Sequence, residues 1–451
     1  FGPLSMQLVA DSHVLAFALV STIVTTLLFG SMPAWQASQI AVLPALNRSG
    51  SRTATTRMRT GRVLVVMQFA LSFVLVAGAV LCLRTILNLA KVDTGFERER
   101  LLVVRIDPQG TDYERDRLRA MQREMLGTLG GVPGVQHVTF ATGTPFNGNV
   151  DGRRLTIPGV EPREPDDTTI QVNLIAPGYF DALQVPLVSG RAIDERDREN
   201  TRRVAVVSEA FARRYFGEAA AAVGRTFIIN RGPKPIPHEI VGVARDIRYQ
   251  DLRRPSERMA YLPWFQADDV RLAQFEFILR TEGDPANWID ITRSAMRQQR
   301  PDLPILAIQT LSGVINTRLL SERLLAMLGT FFAAVALALA AVGVYGLLAN
   351  LVTRRIPEIG VRIALGARPG EMVWMTIRES LVLVATGAVI GIAGAATGLR
   401  VLEGLLFGLS PTDIVNLAVA ALILVLVALA AAFVPAWRAA TVDPLVALRA
   451  E

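Results

Sequence analysis

The sequence predicts an α-helical membrane protein with five transmembrane helices and an extracytoplasmic α+β domain inserted between helices two and three. Three observations carry this. Of 451 residues, 51% are hydrophobic. The apolar residues gather in five stretches, about 14–33, 63–83, 324–349, 380–399 and 414–434, each near the ~20 residues that cross a bilayer and none with Asp, Glu, Lys or Arg in its centre. Between the second and third lies a long segment of ordinary soluble composition.

The first stretch has no basic leader and is followed by a basic segment, so it reads as a membrane helix and not as a cleaved signal peptide. Orientation follows from the arginines. Arg48, Arg52, Arg57, Arg59 and Arg62 fill one loop with no acid beside them, Arg354, Arg355, Arg362, Arg368 and Arg378 fill another, and Arg438 and Arg449 lie in the tail. The 400–413 loop has only Arg400. The three basic segments are therefore cytoplasmic and the soluble insert lies outside. This accounts for the net charge of +7 without nucleic acid as a partner.

Within the insert, Leu101–Ile106 reads as a buried strand and Tyr113–Leu129 as an amphipathic helix with Leu118, Met121, Met125, Leu126 and Leu129 on one side. The segment Gly130-Gly131-Val132-Pro133-Gly134 ends that helix, and Val135–Thr139 is a second strand. A similar unit closes the insert: strand Phe275–Arg280, a helix opened by Asp284-Pro285, and strand Leu303–Ile308. The two halves bracket a strand-rich middle, about 150–270, with candidates at Ile170–Leu174, Val204–Val207, Arg225–Ile229 and Glu239–Val243 and a short helix Glu209–Tyr215. This describes a split α+β domain with an inserted subdomain. Gly190 and Gly242 are among the expected turn or bulge positions. The acidic–basic run Asp194–Arg203 reads as a solvated loop.

The chemistry of an enzyme is missing from the sequence. The two lysines, Lys91 and Lys234, stand in no G-x-x-x-x-G-K-[ST] context, so no Walker-type ATP hydrolysis is expected from this chain. The one cysteine and three scattered histidines make neither a disulfide nor a metal site. No cofactor, metal or catalytic residue is expected. A secondary transporter would carry ionisable groups inside its spans. Here Gln68 is the most polar interior residue, expected in an interhelical hydrogen bond. Gly387/Gly391 and Gly394/Gly398 are GxxxG pairs, which with Gly343 and Gly346 fit close helix packing in the bilayer.

The chain also repeats itself. Pro33-Ala34-Trp35-Gln36-Ala37 returns as Pro435-Ala436-Trp437-Arg438-Ala439, and Leu43-Pro44-Ala45-Leu46 as Leu445-Val446-Ala447-Leu448; 435 − 33 and 445 − 43 both give 402. Residues 1–50 are thus expected to be the last helix and tail of a preceding unit.

After the third span comes Arg354-Arg355-Ile356-Pro357-Glu358-Ile359-Gly360-Val361-Arg362-Ile363-Ala364-Leu365-Gly366-Ala367-Arg368. Its pattern alone leaves two readings, a helix lying on the inner leaflet or a docking helix for a cytoplasmic partner. The motif R-x-x-E-I-G-[IV]-R-x-A-L-G-A resembles the signature of the MacB/FtsX-like ABC transporter permeases, especially the duplicated ones. Val342-Gly343-Val344-Tyr345-Gly346, Leu405-Leu406-Phe407-Gly408, the terminal P-A-W-R-A, and Gly178-Tyr179-Phe180, Gly190-Arg191, Val241-Gly242-Val243 and Tyr261-Leu262-Pro263 agree with it. The resemblance implies a four-helix permease unit in the bacterial inner membrane: a cytoplasmic linker at 51–62, a helix and stalk at 63–90, a periplasmic core domain at 91–320 and a three-helix permease domain at 321–451. It implies mechanotransmission, in which a separate cytoplasmic ABC ATPase acts on Arg355, Glu358, Ile359, Gly360, Arg362, Leu365 and Gly366. Pro357 is a departure from the family pattern and is expected to set the start of that helix. It also implies a second permease half in the same longer chain and a periplasmic or outer-membrane partner. An FtsX-type signalling scaffold is the alternative, and an anchored ectodomain enzyme is disfavoured by the missing catalytic groups.

Overall fold

The computed structural model describes residues 51–400 and 407–440, with gaps at 109–114, 148–149, 163, 231–234, 255, 268–273, 365–368 and 411, together with isolated positions between 12 and 26. At 51–60 and 356–364 it describes the backbone alone.

The elements run α1 (Ser51–Ala90), β1 (Leu101–Ile106), α2 (Arg115–Gly130), β2 (Val135–Ala141), β3 (Asp151–Thr156), β4 (Thr169–Ile175), α3 (Tyr179–Leu183), β5 (Leu187–Gly190), β6 (Val204–Ser208), α4 (Glu209–Phe216), α5 (Ala219–Ala222), β7 (Thr226–Ile229), β8 (Ile236–Ala244), β9 (Met259–Pro263), β10 (Phe275–Thr281), α6 (Ile289–Gln299), β11 (Ile305–Thr310), α7 (Leu311–Arg318), α8 (Leu320–Ala364), α9 (Pro369–Gly398) and α10 (Ile414–Ala440). Four helical segments among the described residues are long and apolar enough to cross a membrane: Gly61–Ala90, Leu320–Thr353, Val373–Gly398 and Ile414–Arg438. The expected span at 14–33 lies largely outside the described residues; Leu15, Ala16 and the described positions at 19–23 are helical. The chain divides into two compact units, one of residues 1–72, 337–391 and 424–451, the other of 73–336 and 392–423.

The second unit holds the soluble domain. Four strands run in the order β11-β1-β10-β2, every neighbour antiparallel. The two strands of each strand–helix–strand unit therefore do not pair with each other. β10 lies between β1 and β2, and β1 between β10 and β11, which is the ferredoxin-like split βαβ arrangement. β1 is apolar nearly throughout because both its faces are covered. Leu102, Val104 and Ile106 meet Leu118, Met121 and Met125 of α2 and Met296 of α6. Leu101 and Val103 join Leu89, Tyr179, Leu311 and Ile315 in a second core. Fully burying each such side chain contributes roughly 1.5–3 kcal/mol before entropy is counted.

The middle segment closes on itself. β3 pairs with β4, β4 with β9, β9 with β6, β6 with β8, β8 with β7, and β7 returns to β3. This six-strand ring leaves few free edges. Its core is Leu155, Val172, Val207, Phe227, Ile229 and Ile240, against which Phe211 of α4 packs. Ser208 caps α4 by accepting from the Phe211 amide at 3.3 Å. β5 pairs with β8, and Gly190 meets Gly242 there. Gly190 has φ +74°, and a Cβ at either glycine would collide with the other strand's backbone, so both positions require glycine.

Three expectations change. The stretch 51–62, expected as a cytoplasmic linker, is helical and forms the first turns of α1. Pro357 does not begin a new helix, since α8 is helical through it to Ala364; proline removes one N–H donor, while the bonds on either side can still carry the helix past it. The Asp194–Arg203 run has no helix or strand, yet Asp197 in it is only 5% exposed and accepts both Arg191 Nη groups at 2.8 Å. A carboxylate in so good a fork can be buried.

Candidate coupling site and its helical supports

In the first unit, the described part of the expected coupling segment is anchored by one acid. Arg355 of α8 donates from Nη1 to Glu379 Oε1 of α9 at 2.8 Å, and Arg62 of α1 places Nη2 3.7 Å from Glu379 Oε2. Three helices thus meet on one carboxylate at their basic ends. The side chains are partly exposed, 35% for Arg355 and 29% for Glu379, so in water such a pair contributes at most about 1 kcal/mol. Its service is to fix the arginines relative to one another. Glu358, Ile359, Gly360 and Arg362 continue α8 beyond this anchor as helix, with only their backbone described. Leu365 and Gly366 lie outside the described residues. Sequence reading missed Glu379. An acid directly preceding an uncharged span, across from basic loops, was the available signal.

The glycines divide. A Cβ on Gly343 would lie 2.8 Å from Gln68 Oε1, and one on Gly387 would lie 2.6 Å from Phe69 Cβ and 3.0 Å from the Val66 carbonyl. Both contacts fall on α1. In the other unit, a Cβ on Gly394 would lie 3.3 Å from Val74 Cγ2, also on α1. Gly391 is buried. Gly346 and Gly398, expected at helix contacts, face open space among the described residues. They share nearly the same helix faces as Gly343 and Gly394, three and four residues back, but sit about one turn, ~5 Å, further along, where among the described residues nothing comes within 4 Å of an added Cβ. The interhelical hydrogen bond expected of Gln68 is not made among the described residues; its amide oxygen lies against Gly343 instead.

At the outer ends, within the second unit, polar contacts tie α1 to the segment before α10. Arg84 Nη1 donates to Asp413 Oδ1 at 3.2 Å, and Asn88 Nδ2 donates to the Phe407 carbonyl at 3.4 Å. Asp413 also accepts the Asn416 amide at 3.0 Å, and this amide, with Arg84, holds its carboxyl below the usual range. Deeper in the outer domain Glu276, 2% exposed, accepts from Arg105 Nε at 2.8 Å, Asn147 Nδ2 at 2.7 Å and the Thr144 amide at 3.1 Å. Beside it Tyr179 and Tyr249 share a hydroxyl–hydroxyl bond of 2.5 Å, and Tyr249 donates to the Gly143 carbonyl at 2.7 Å. Burial raises both phenols, so they remain neutral hydrogen-bonding groups. No cluster of His, Cys, Asp and Glu suited to a metal occurs among the described residues.

These features define a multi-pass membrane protein whose polar chemistry lies in an outer α+β domain and at the basic helix ends. Residues 70–295 match the model of the MacB-like periplasmic core domain, and residues 330–444 that of the FtsX-like permease C-terminal domain. The chain belongs to the MacB/FtsX-like ABC transporter permeases. It is similar to a probable syringafactin export ATP-binding/permease protein of Pseudomonas syringae, 25% identical over 62% of this chain and 42% of the relative. It is similar to macrolide export ATP-binding/permease proteins of Rhodopseudomonas palustris, 27% identical over 61% of this chain and 42% of the relative, and of Rhodospirillum rubrum, 26% identical over 78% and 52%. The chain thus spans about half the length of the curated relatives it matches, 42% to 52% in these three. The crystal structure of the periplasmic region of MacB from Actinobacillus actinomycetemcomitans aligns with 51% of this chain and 97% of its own, at 16% identity and a TM-score of 0.35.

Proposed function

We propose that this chain is the permease component of an ABC exporter in the bacterial inner membrane, working by mechanotransmission. An ATPase carried by a separate subunit closes on ATP and pushes the end of α8. Arg355, Glu358, Ile359, Gly360, Arg362, Leu365 and Gly366 form the contact, with Glu358 and Arg362 making its polar part and Ile359 and Leu365 filling an apolar groove. α1 and α8 carry the movement to the outer domain, which handles substrate outside the bilayer with a periplasmic or outer-membrane partner. A second permease half in the same longer chain completes the pair.

One observation supports this reading: the FtsX-like match at 330–444 encloses the 354–368 motif, whose described part, to Ala364, continues a membrane helix past its Arg355–Glu379 anchor. The export names of the relatives support transport over the signalling alternative. The test is the charge swap Glu358→Lys with Arg362→Glu. Association of the ATPase in a pull-down, and stimulation of its ATP hydrolysis, are expected to fall by roughly tenfold, about 1.4 kcal/mol. Unchanged association and stimulation would overturn the contact.

A further inference from the structure

A cavity of about 370 Å³ lies in the second unit where the outer ends of two membrane spans meet the soluble domain. Leu89, at the end of the Gly61–Ala90 span, and Leu319, just before the Leu320–Thr353 span, line it together with Ile315 and Phe146. Its wall is strained: Phe146 has φ +64° without being glycine. Two bonds hold that conformation, from the Phe146 amide to the Tyr249 carbonyl at 2.7 Å and from Arg318 Nε to the Phe146 carbonyl at 3.2 Å. Strain kept in place this way is frequent at binding sites.

The polar lining has both signs, and each is incompletely paired. Arg254 and Arg318 are exposed. Among the described residues Arg254 makes no side-chain hydrogen bond, and Arg318 spends one donor on the Phe146 carbonyl. On the acidic side, Asp251 accepts the Arg253 amide through Oδ1 at 2.9 Å. Glu322 accepts Arg253 Nη2 through Oε1 at 2.9 Å, while its Oε2 is buried without a hydrogen bond. A buried carboxylate oxygen without a donor is costly and asks for one. Two guanidiniums with spare donors ask for an anion with several acceptor oxygens.

We propose that this cavity holds the phosphoethanolamine headgroup of a phospholipid from the outer leaflet. The phosphate meets Arg254 and Arg318, and the ammonium gives its N–H donors to Glu322 and Asp251. The acyl chains descend from the apolar side beside Leu89 and Leu319 into the bilayer. A choline headgroup has the charge but no N–H donor, and a glycerol headgroup has no cation, so the chemistry selects among lipids. The site needs no ATPase and stands or falls separately from the coupling contact.

The full chain, placed in nanodiscs of equal parts phosphatidylethanolamine, phosphatidylcholine and phosphatidylglycerol, is transferred to detergent, and the lipid it retains is quantified by mass spectrometry. Retention of phosphatidylethanolamine several-fold above the other two is expected. Arg254→Gln with Arg318→Gln is expected to lower it roughly fivefold for each charge removed, whereas Arg254→Lys with Arg318→Lys keeps it. Glu322→Gln brings the ethanolamine-to-choline ratio toward one. Retention in proportion to the mixture by the unaltered chain, undiminished retention by the double Gln variant, or loss in the double Lys variant as severe as in the Gln variant would each overturn the proposal.

Discussion

The outer domain and the membrane helices solve opposite solvent problems. In the outer domain Trp264, Tyr179, Tyr261, Phe140 and Phe211 are fully buried, because water drives large apolar groups inward. On the spans Val342 and Val389 are each 68% exposed and Met327 67%, which costs nothing against lipid. Helix association in a bilayer must then rest on close contact and polar ties. α1 is the exception among the spans. Half of its apolar window is buried, against 17% to 28% for the other three. It is also the helix against which Gly343, Gly387 and Gly394 lie and to whose Arg62 Glu379 reaches. The two regions therefore fail in different ways, the outer one through unpaired buried charge and the inner one through added volume.

The largest effect is expected from Glu276→Ala in the outer domain. Arg105, Thr144 and Asn147 would lose their shared acceptor in a site where Glu276 is almost fully buried. Breaking one side of such a network costs about 3–5 kcal/mol, read as a lowered thermal midpoint in the tryptophan fluorescence of the purified chain. A loss below about 1 kcal/mol would mean that water replaces the carboxylate, and the contrast between the regions would weaken.

Next comes Gly387→Leu on α9. The new Cβ would meet Phe69 Cβ and the Val66 carbonyl, and neither can swing aside as a side-chain tip could. Overpacking of this kind costs roughly 1–3 kcal/mol. Gly346→Ala and Gly398→Ala, which point into open space, are expected to be neutral or to gain up to about 1 kcal/mol of helix propensity. Unfolding in detergent, followed by helical circular dichroism, separates the two cases. Equal losses at Gly387 and Gly398 would show that glycine serves flexibility here and not contact.

The sequence made the ferredoxin-like frame readable because its strands and helices carry local periodicity. Phe275–Arg280 was expected and Phe275–Thr281 is found; the expected Val204–Val207 extends by only Ser208. The ring of the middle segment was not readable. β3 (Asp151–Thr156) buries only Leu155 among its six residues, so it has no apolar alternation. β9 (Met259–Pro263) is short, and both its partners are distant in sequence, since it pairs with β4 in parallel and with β6. Ring closure depends on register between remote strands, which no local window contains. At the cytoplasmic end Arg355 was legible from the motif, while Glu379 required knowing that α9 returns beside α8. The glycine motif likewise marks one helix face but not the level at which a neighbour comes close, and that level separates Gly343 and Gly394 from Gly346 and Gly398.

The smallest effect tests how far surface charge matters in the outer domain. Asp194 accepts from the side chain and amide of Arg196, with Arg191 nearby, and these hold its carboxyl down at about 2. An unfolded aspartate titrates near ~3.9. The folded state therefore prefers the charged form. The stability this confers is present above about pH 4 and is lost as pH falls through about 2. Asp194 is 37% exposed, so solvent and salt screen much of it. Asp194→Asn is expected to be slightly less stable than the unaltered chain at neutral pH, with the two acid-unfolding curves converging between about pH 4 and pH 2. Added salt should shrink the neutral-pH gap. A gap that stayed constant across that window would assign the loss to altered side-chain hydrogen bonding at Asp194, whose Oδ1 accepts the Arg196 amide at 2.9 Å and whose Oδ2 accepts Arg196 Nη2 at 2.7 Å, and not to charge.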